Sequence, residues 1–231
     1  MIENVKIIEK LIRVDTVLVS CFDKTGLISN NGIESLDEEG IIGLIQKINP
    51  KVLFVSTGET YKLLKKNNFN ALDITQYTKY PEMKSGLVKS MHPKIHAGIL
   101  GHKYTPDDKD YLKKHNIRKI DLVITNFYDL ESALELKKSI EDIRQAIDVG
   151  GPTMCHSARK SFINTAIVTS KDEYVQLQNE ITKHNGSVSL EYRLEQAKIA
   201  SNLLCKYFSA INSFFTNLCI DDLYKNYIIK E

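Results

Sequence analysis

The chain has 231 residues, 42% hydrophobic and 26% charged, with 31 basic residues against 29 acidic ones and a formal net charge of +2. That balance argues against the basic stripe that wraps nucleic acid, and no run of about 18 apolar residues is present to cross a membrane. Cys21, Cys155, Cys205 and Cys219 are widely spaced with no Cys-x-x-Cys pair, which fits neither a zinc knuckle nor a disulfide framework and points to a reducing, cytoplasmic setting.

Met1 to Arg13 interleaves charges with isoleucines, unlike an export signal. Val17 to Phe22 then forms the first short β-branched run bounded by polar turn residues, and Val52 to Ser56, Leu122 to Asn126 and Ala166 to Thr169 are the others. Each reads as a buried strand. Between and after them, Gly40 to Ile48, Tyr61 to Asn67, Asp107 to His115, Ser139 to Ile147, Lys171 to His184 and Ser189 to Phe208 carry the i, i+3, i+4 spacing of helices. Strands alternating with helices predict an α/β fold of three layers. A mostly parallel sheet is covered by helices on both faces, and ligands sit at the carboxyl ends of the strands.

The loops at those ends carry the chemistry. Asp23-Lys24-Thr25-Gly26 follows the first strand, and Thr57-Gly58-Glu59-Thr60 follows the second and caps a helix. Hydroxyls, a lysine and helix-start amides are what a phosphate requires, although such residues are also ordinary caps. The run from Gly86 to Gly98 crowds Lys89, Ser90, His92, Pro93, Lys94 and His96 into one segment. Pro93 drives His92 out of the helical region, so a loop is expected there with a short helix starting beyond it. Asn126-Phe127-Tyr128 ends another strand. Asp148-Val149-Gly150-Gly151-Pro152-Thr153 reads as a turn through paired glycines that aims amides at developing negative charge, with Lys160 about two helical turns beyond Thr153.

Taken in order, these segments resemble the inosine monophosphate cyclohydrolase domain of the bifunctional purine-biosynthesis enzyme, which has a methylglyoxal-synthase-like fold. The resemblance rests on Ser20 to Gly26, Ser56 to Thr60, the Lys-x-x-His-Pro-Lys-Ile-His block, Ile120 to Tyr128, the Asp-x-Gly-Gly-Pro-Thr-Met block and Lys160. It implies a helical extension over residues 1–14, a cyclohydrolase-like domain over 15–210 and a tail over 211–231, with no formyltransferase domain. It also implies closure of the purine ring of 5-formamidoimidazole-4-carboxamide ribotide with loss of water. Lys89 would polarise the formyl oxygen, Tyr128 would protonate the departing hydroxyl, and Asp148 with Lys160 would activate the carboxamide. Ser20, Lys24, Thr25, Thr57, Gly58, Thr60, Ser90 and Asn126 would hold phosphate and ribose, with the amides of Val149, Gly150 and Gly151 completing the oxyanion site. No metal or organic cofactor is implied. The resemblance further implies a homodimer and, as an alternative partner to test, a separate formyltransferase.

Within that likeness Phe22, Glu59 and Leu87 stand where the family has Ser, Gly and Arg, all in the phosphate region, while His156 and Arg159 replace Arg and Ala. Losing an arginine forgoes a charge-assisted contact of about 1.5 to 3 kcal/mol, which a relocated cation at Arg159 would compensate. The alternative reading is a non-catalytic nucleotide sensor of the same fold, with methylglyoxal synthase a third. A metal site on His92, His96 and His102 is disfavoured by Pro93 and by the lack of a Glu after His92. Cys155 beside His156 reads as a buried thiol, because adjacent helical residues point about 100° apart. Tyr207, Phe208, Phe214 and Phe215 read as core or subunit interface.

Overall fold

A computed structural model describes residues 6–84, 86–128, 130–136 and 138–230. In chain order the elements begin with β1 (Leu11–Arg13), β2 (Thr16–Ser20), α1 (Gly40–Ile48), β3 (Leu53–Ser56), α2 (Gly58–Lys66) and β4 (Ala71–Asp73). There follow α3 (Ile74–Thr78), α4 (Pro93–Leu100), α5 (Pro106–Lys114), β5 (Leu122–Thr125), α6 (Leu130–Glu135) and α7 (Ile140–Ala146). The chain continues through α8 (Gly150–Lys160), β6 (Ala166–Val168), α9 (Tyr174–Lys183), β7 (Ser187–Ser189), α10 (Leu190–Asn217) and α11 (Ile220–Asn226).

Five parallel strands make the central sheet in the order β4-β3-β2-β5-β6. Both faces are buried, which is why these strands read as continuous apolar runs rather than as alternating patterns. Val17, Val19, Phe54, Leu122, Ile124 and Val168 turn to one face, where Ile41 and Ile45 of α1 and Leu177 and Ile181 of α9 cover them. Leu18, Val55, Val123 and Ile167 turn to the other, beneath Ile95 and Ile99 of α4, Met154 and Ala158 of α8, and Ala200 and Leu204 of α10. The three expected layers are present. From β2 the chain winds outward through β3 and β4, and β5 with β6 then extends the sheet on the other side. The carboxyl ends of β2 and β5 therefore flank the switch point where open sheets of this kind bind ligands.

The structure corrects several expectations. No helix forms over residues 6–14. Leu11–Arg13 is a strand paired antiparallel with β7, Ile12 opposite Val188, because only Ile12 of the three faces the core, a period of two. Residues 1–5 of the expected extension lie outside the described residues. The fully buried Arg193 explains this arrangement: its guanidinium donates to the carbonyls of Phe162, Val188 and Glu9 at 2.9, 2.8 and 2.6 Å, clasping the amino-terminal segment onto β7. At the other end, α10 runs 28 residues to Asn217, so a boundary at 210 falls inside a helix. Gly150 and Gly151 are not a turn. They open α8 with no left-handed backbone.

Candidate functional site

The loop after α3 brings the sheet's carboxyl end together. His92 is extended, as Pro93 requires, and its Nδ1 accepts the Lys94 amide at 3.0 Å, so the ring caps α4. Lys89 and Ser90 precede that cap, held by a left-handed Val88 at φ 57°. Lys89 Nζ rests against two glycines whose φ angles are also positive. A Cβ on Gly58, the first residue of α2, would lie 3.1 Å from it, and one on Gly86 would lie 3.5 Å away. Glu82 completes the cage with a 3.3 Å ion pair. Ser90 is buried and faces the other way, its Oγ 2.5 Å from where a Cβ on Gly150 would stand. One short loop therefore abuts the amino ends of α2 and α8, each a source of positive helix potential.

Asp148 lies just before α8. The Gly151 amide donates to its Oδ1 at 3.3 Å, while the N-cap residue Val149 offers no side-chain bond. Burial raises the Asp148 carboxyl above its ordinary value, and the amides of Gly151, Gly150 and Val149 pull it partly back. The Gly151 amide expected to serve an oxyanion is thus engaged by Asp148 itself. Tyr207 of α10, read from the sequence as packing, accepts the Asp148 amide at 2.7 Å and sets its ring 5.1 Å from that of Phe127.

The third wall is the loop after β2. Asn126 Oδ1 accepts the amides of Phe22 and Asp23 at 2.6 and 3.0 Å, and its Nδ2 donates to the Asp23 carbonyl at 2.8 Å. Thr60 is likewise spent on the scaffold, since its Oγ1 both donates to the Cys21 carbonyl and accepts the Cys21 amide. Both were expected to bind substrate, and both instead shape the loop that would. Ser20 and Thr57 share a 2.9 Å hydrogen bond across the tips of β2 and β3, Lys24 Nζ donates to the Phe22 carbonyl, and the Thr25 amide is held by Asp23 Oδ1. Half-exposed Phe22 and Tyr128 form a tilted ring pair at 4.7 Å. A cavity of about 410 Å³ opens beside them, lined by Phe22, Asp23, Asn126, Phe127, Ser170 and Lys171 among others. Its lining includes neither Lys89 nor Asp148, and the Asp23–Lys171 ion pair at 3.2 Å lies on it.

Glu59 reaches solvent and pairs with Lys62 at 2.7 Å, and Leu87 is exposed. Arg159 does not replace the missing cation. Its guanidinium is tied to His156 Nδ1 at 3.1 Å and to Ser201 Oγ at 2.8 Å. Lys160, exposed at the carboxyl end of α8, is separated from Gly150 by the full helix, about 15 Å at 1.5 Å per residue. The structure brings Lys89, Tyr128 and Asp148 to one end of the sheet and leaves Lys160 away from Asp148. Cys155 is buried, with its thiol pushed up to about 12 by desolvation, and His96 Nδ1 lies 2.9 Å from Ser157 Oγ. Among the described residues no group of three His, Cys, Asp or Glu is placed to hold a metal, and no helix is long and apolar enough to cross a membrane.

A family profile described as "MGS-like domain" matches residues 40–153. "Bifunctional purine biosynthesis protein PurH" of Clostridium perfringens strain SM101 is 36% identical over 183 residues, covering 79% of this chain and 36% of that protein. The protein of the same name from Fusobacterium nucleatum is 35% identical over 211 residues, 91% of this chain and 38% of that protein. The chain carries an MGS-like domain homologous to part of PurH. It spans little more than a third of the length of these curated relatives. A structure titled "Crystal structure of ForH" shares the fold of the MGS-like chain, with a TM-score of 0.68 at 24% identity, covering 87% of this chain and 97% of that one. The matched segment takes in Thr57 to Thr60, Lys89, Ser90, Tyr128 and Asp148, and stops short of Lys160 and Tyr207.

Proposed function

We propose that this chain is an IMP cyclohydrolase, closing the imidazole carboxamide of 5-formamidoimidazole-4-carboxamide ribotide onto its own formyl group in purine biosynthesis. One observation carries the reading. A single loop sets Lys89 against the start of α2 and Ser90 against the start of α8, beside a carboxylate whose burial favours taking up a proton. The PurH relatives supply the reaction class.

Both reacting groups belong to one molecule, so the gain comes from orientation and from charge stabilisation. Asp148 accepts a proton from the carboxamide nitrogen as that nitrogen bonds to the formyl carbon. Lys89 meets the negative charge that develops on the formyl oxygen. The alkoxide takes up the proton that Asp148 removed and becomes a carbinol, whose hydroxyl takes a proton from Tyr128 and leaves as water; the former formamido nitrogen gives up its proton, replacing the one Tyr128 lost, as the new C=N bond completes the aromatic ring. General acid and base catalysis of this kind contributes about 10²- to 10⁴-fold. Ser20, Lys24, Thr25 and Thr57 form the rim for ribose and phosphate. Lys160 has no part in these steps within one chain.

The test is turnover of the formylated ribotide, followed by the absorbance of the purine ring, with Lys89→Ala and Asp148→Ala alongside. The reading requires wild-type turnover at least about 100-fold above both variants. Equal rates in all three would sink it.

A further inference from the structure

Asp148 owes its place to a residue far away in sequence. The joint between α7 and α8 is only three residues long, and its N-cap, Val149, contributes no side-chain bond. What fixes the joint comes from α10. Tyr207, 6% exposed and 59 positions later, accepts the Asp148 amide at 2.7 Å and directs its own hydroxyl towards the Asp148 carbonyl at 3.4 Å. Its ring packs on Phe127, and Phe127 is the ring a Cβ on Gly151 would strike at 2.8 Å. Hydroxyl and ring thus hold the two sides of one joint: the main chain of Asp148, and the turn of α8 whose amide orients its carboxylate.

We propose that Tyr207 is a positioning residue for Asp148, setting the carboxylate that takes the carboxamide proton; this rests on the function proposed above. Burial pushes the Tyr207 hydroxyl up to about 12, so it remains a neutral donor and acceptor throughout the range in which a cyclohydrolase is assayed. A residue acting in this way affects the reacting geometry and leaves substrate affinity intact. It is distinct from a core tyrosine whose loss merely loosens the fold.

The experiment is Tyr207→Phe in the full chain, which keeps the ring on Phe127 and removes only the hydroxyl. The expected result is a fall in kcat of roughly 10- to 100-fold, the scale of an ångström's misplacement, with KM changed less than about twofold. In the Asp148→Asn background the same change should cost nothing further, since the two residues act as one unit. An unchanged kcat, or an equal loss in both backgrounds, overturns the proposal while leaving the cyclohydrolase reading standing. Full activity in Asp148→Asn overturns the role of Asp148 and the proposal with it. Amide exchange in the wild-type chain supplies a check that needs no variant: the Asp148 amide should exchange slowly, and exchange as fast as an open loop amide refutes the bond.

Discussion

Gly150 and Gly151 are adjacent in α8, yet alanine should be tolerated at one and resisted at the other. Neither has a left-handed φ, so alanine is sterically allowed on the backbone and gains at most about 1 kcal/mol from helix propensity. The difference lies in what a methyl group meets. At Gly150 it stands 2.5 Å from Ser90 Oγ, with its next neighbours at 3.9 Å, so a swing of one side chain relieves it. At Gly151 it stands 2.6 Å from Asp148 Oδ2 and 2.8 Å from Phe127 Cδ1, and that ring is backed by Tyr207. Overpacking against neighbours that cannot yield costs about 1 to 3 kcal/mol. Set against the helix gain, Gly151→Ala should lose about 1 kcal/mol, lowering the thermal midpoint by roughly 2 to 4 °C in a chain of this size, while Gly150→Ala should be close to neutral. Urea unfolding and thermal melts of both variants measure this. A Gly151→Ala protein as stable as Gly150→Ala would refute the view that the carboxylate and the ring are locked together.

Two further outcomes follow from buried charge. Arg193→Met leaves the carbonyls of Phe162, Val188 and Glu9 without their donor, and should cost about 3 kcal/mol or more in denaturant while protease cleaves faster within residues 6–13; a loss below about 1 kcal/mol would show that β1 and β7 hold without the clasp. Asp148, raised by burial above its ordinary 3.8, should place the acid limb of kcat/KM above that of an ordinary aspartate, falling as pH drops through the raised value. A carboxyl raised on folding contributes its stability at low pH and loses it as pH rises through the folded value. Asp148→Asn should therefore abolish the acid limb and be no less stable than wild type at neutral pH, and a clearly lower melting temperature there would contradict the desolvation argument.

The sheet was legible because its strands are buried on both faces: Val17 to Val19, Phe54 to Val55 and Leu122 to Ile124 have no reading but core. The three-residue strands β1, β4 and β7 were not, since a run such as Leu11-Ile12-Arg13, with one buried residue, is too short for its period of two to stand out in the sequence. Of the candidate site, the chemistry-bearing loops were legible and their internal division of labour was not. Thr60 carries the same hydroxyl as Ser20 and Thr57, and the Asn126 amide could serve a ribose as readily, yet sequence spacing gives no sign that Thr60 and Asn126 are bonded to loop backbone. The paired glycines were singled out for close approach within a turn, and the turn is absent. They open α8, and the close approach is made by Ser90 at Gly150 and by Phe127 with the Asp148 carboxylate at Gly151.

Strong perturbation by itself does not mark the site. Lys119 and Asp121 are among the most displaced groups in the chain, burial lowering the ammonium and raising the carboxyl, yet they stand before β5, at the opposite end of the sheet from Lys89. There Lys119 donates to the carbonyls of Gly98 and Ile99 and to Thr165, and Asp121 accepts the amides of Asp15 and Thr16. Every partner is part of the scaffold, so the pair ties loops together at the strands' amino ends. Asp148 is displaced less obviously but sits at the start of α8, where the Gly151 amide meets its carboxylate and Ser90 of the Lys89 loop abuts Gly150. Location relative to the strand ends, more than the size of any shift, separates the group proposed to handle a proton from the pair that ties the scaffold together.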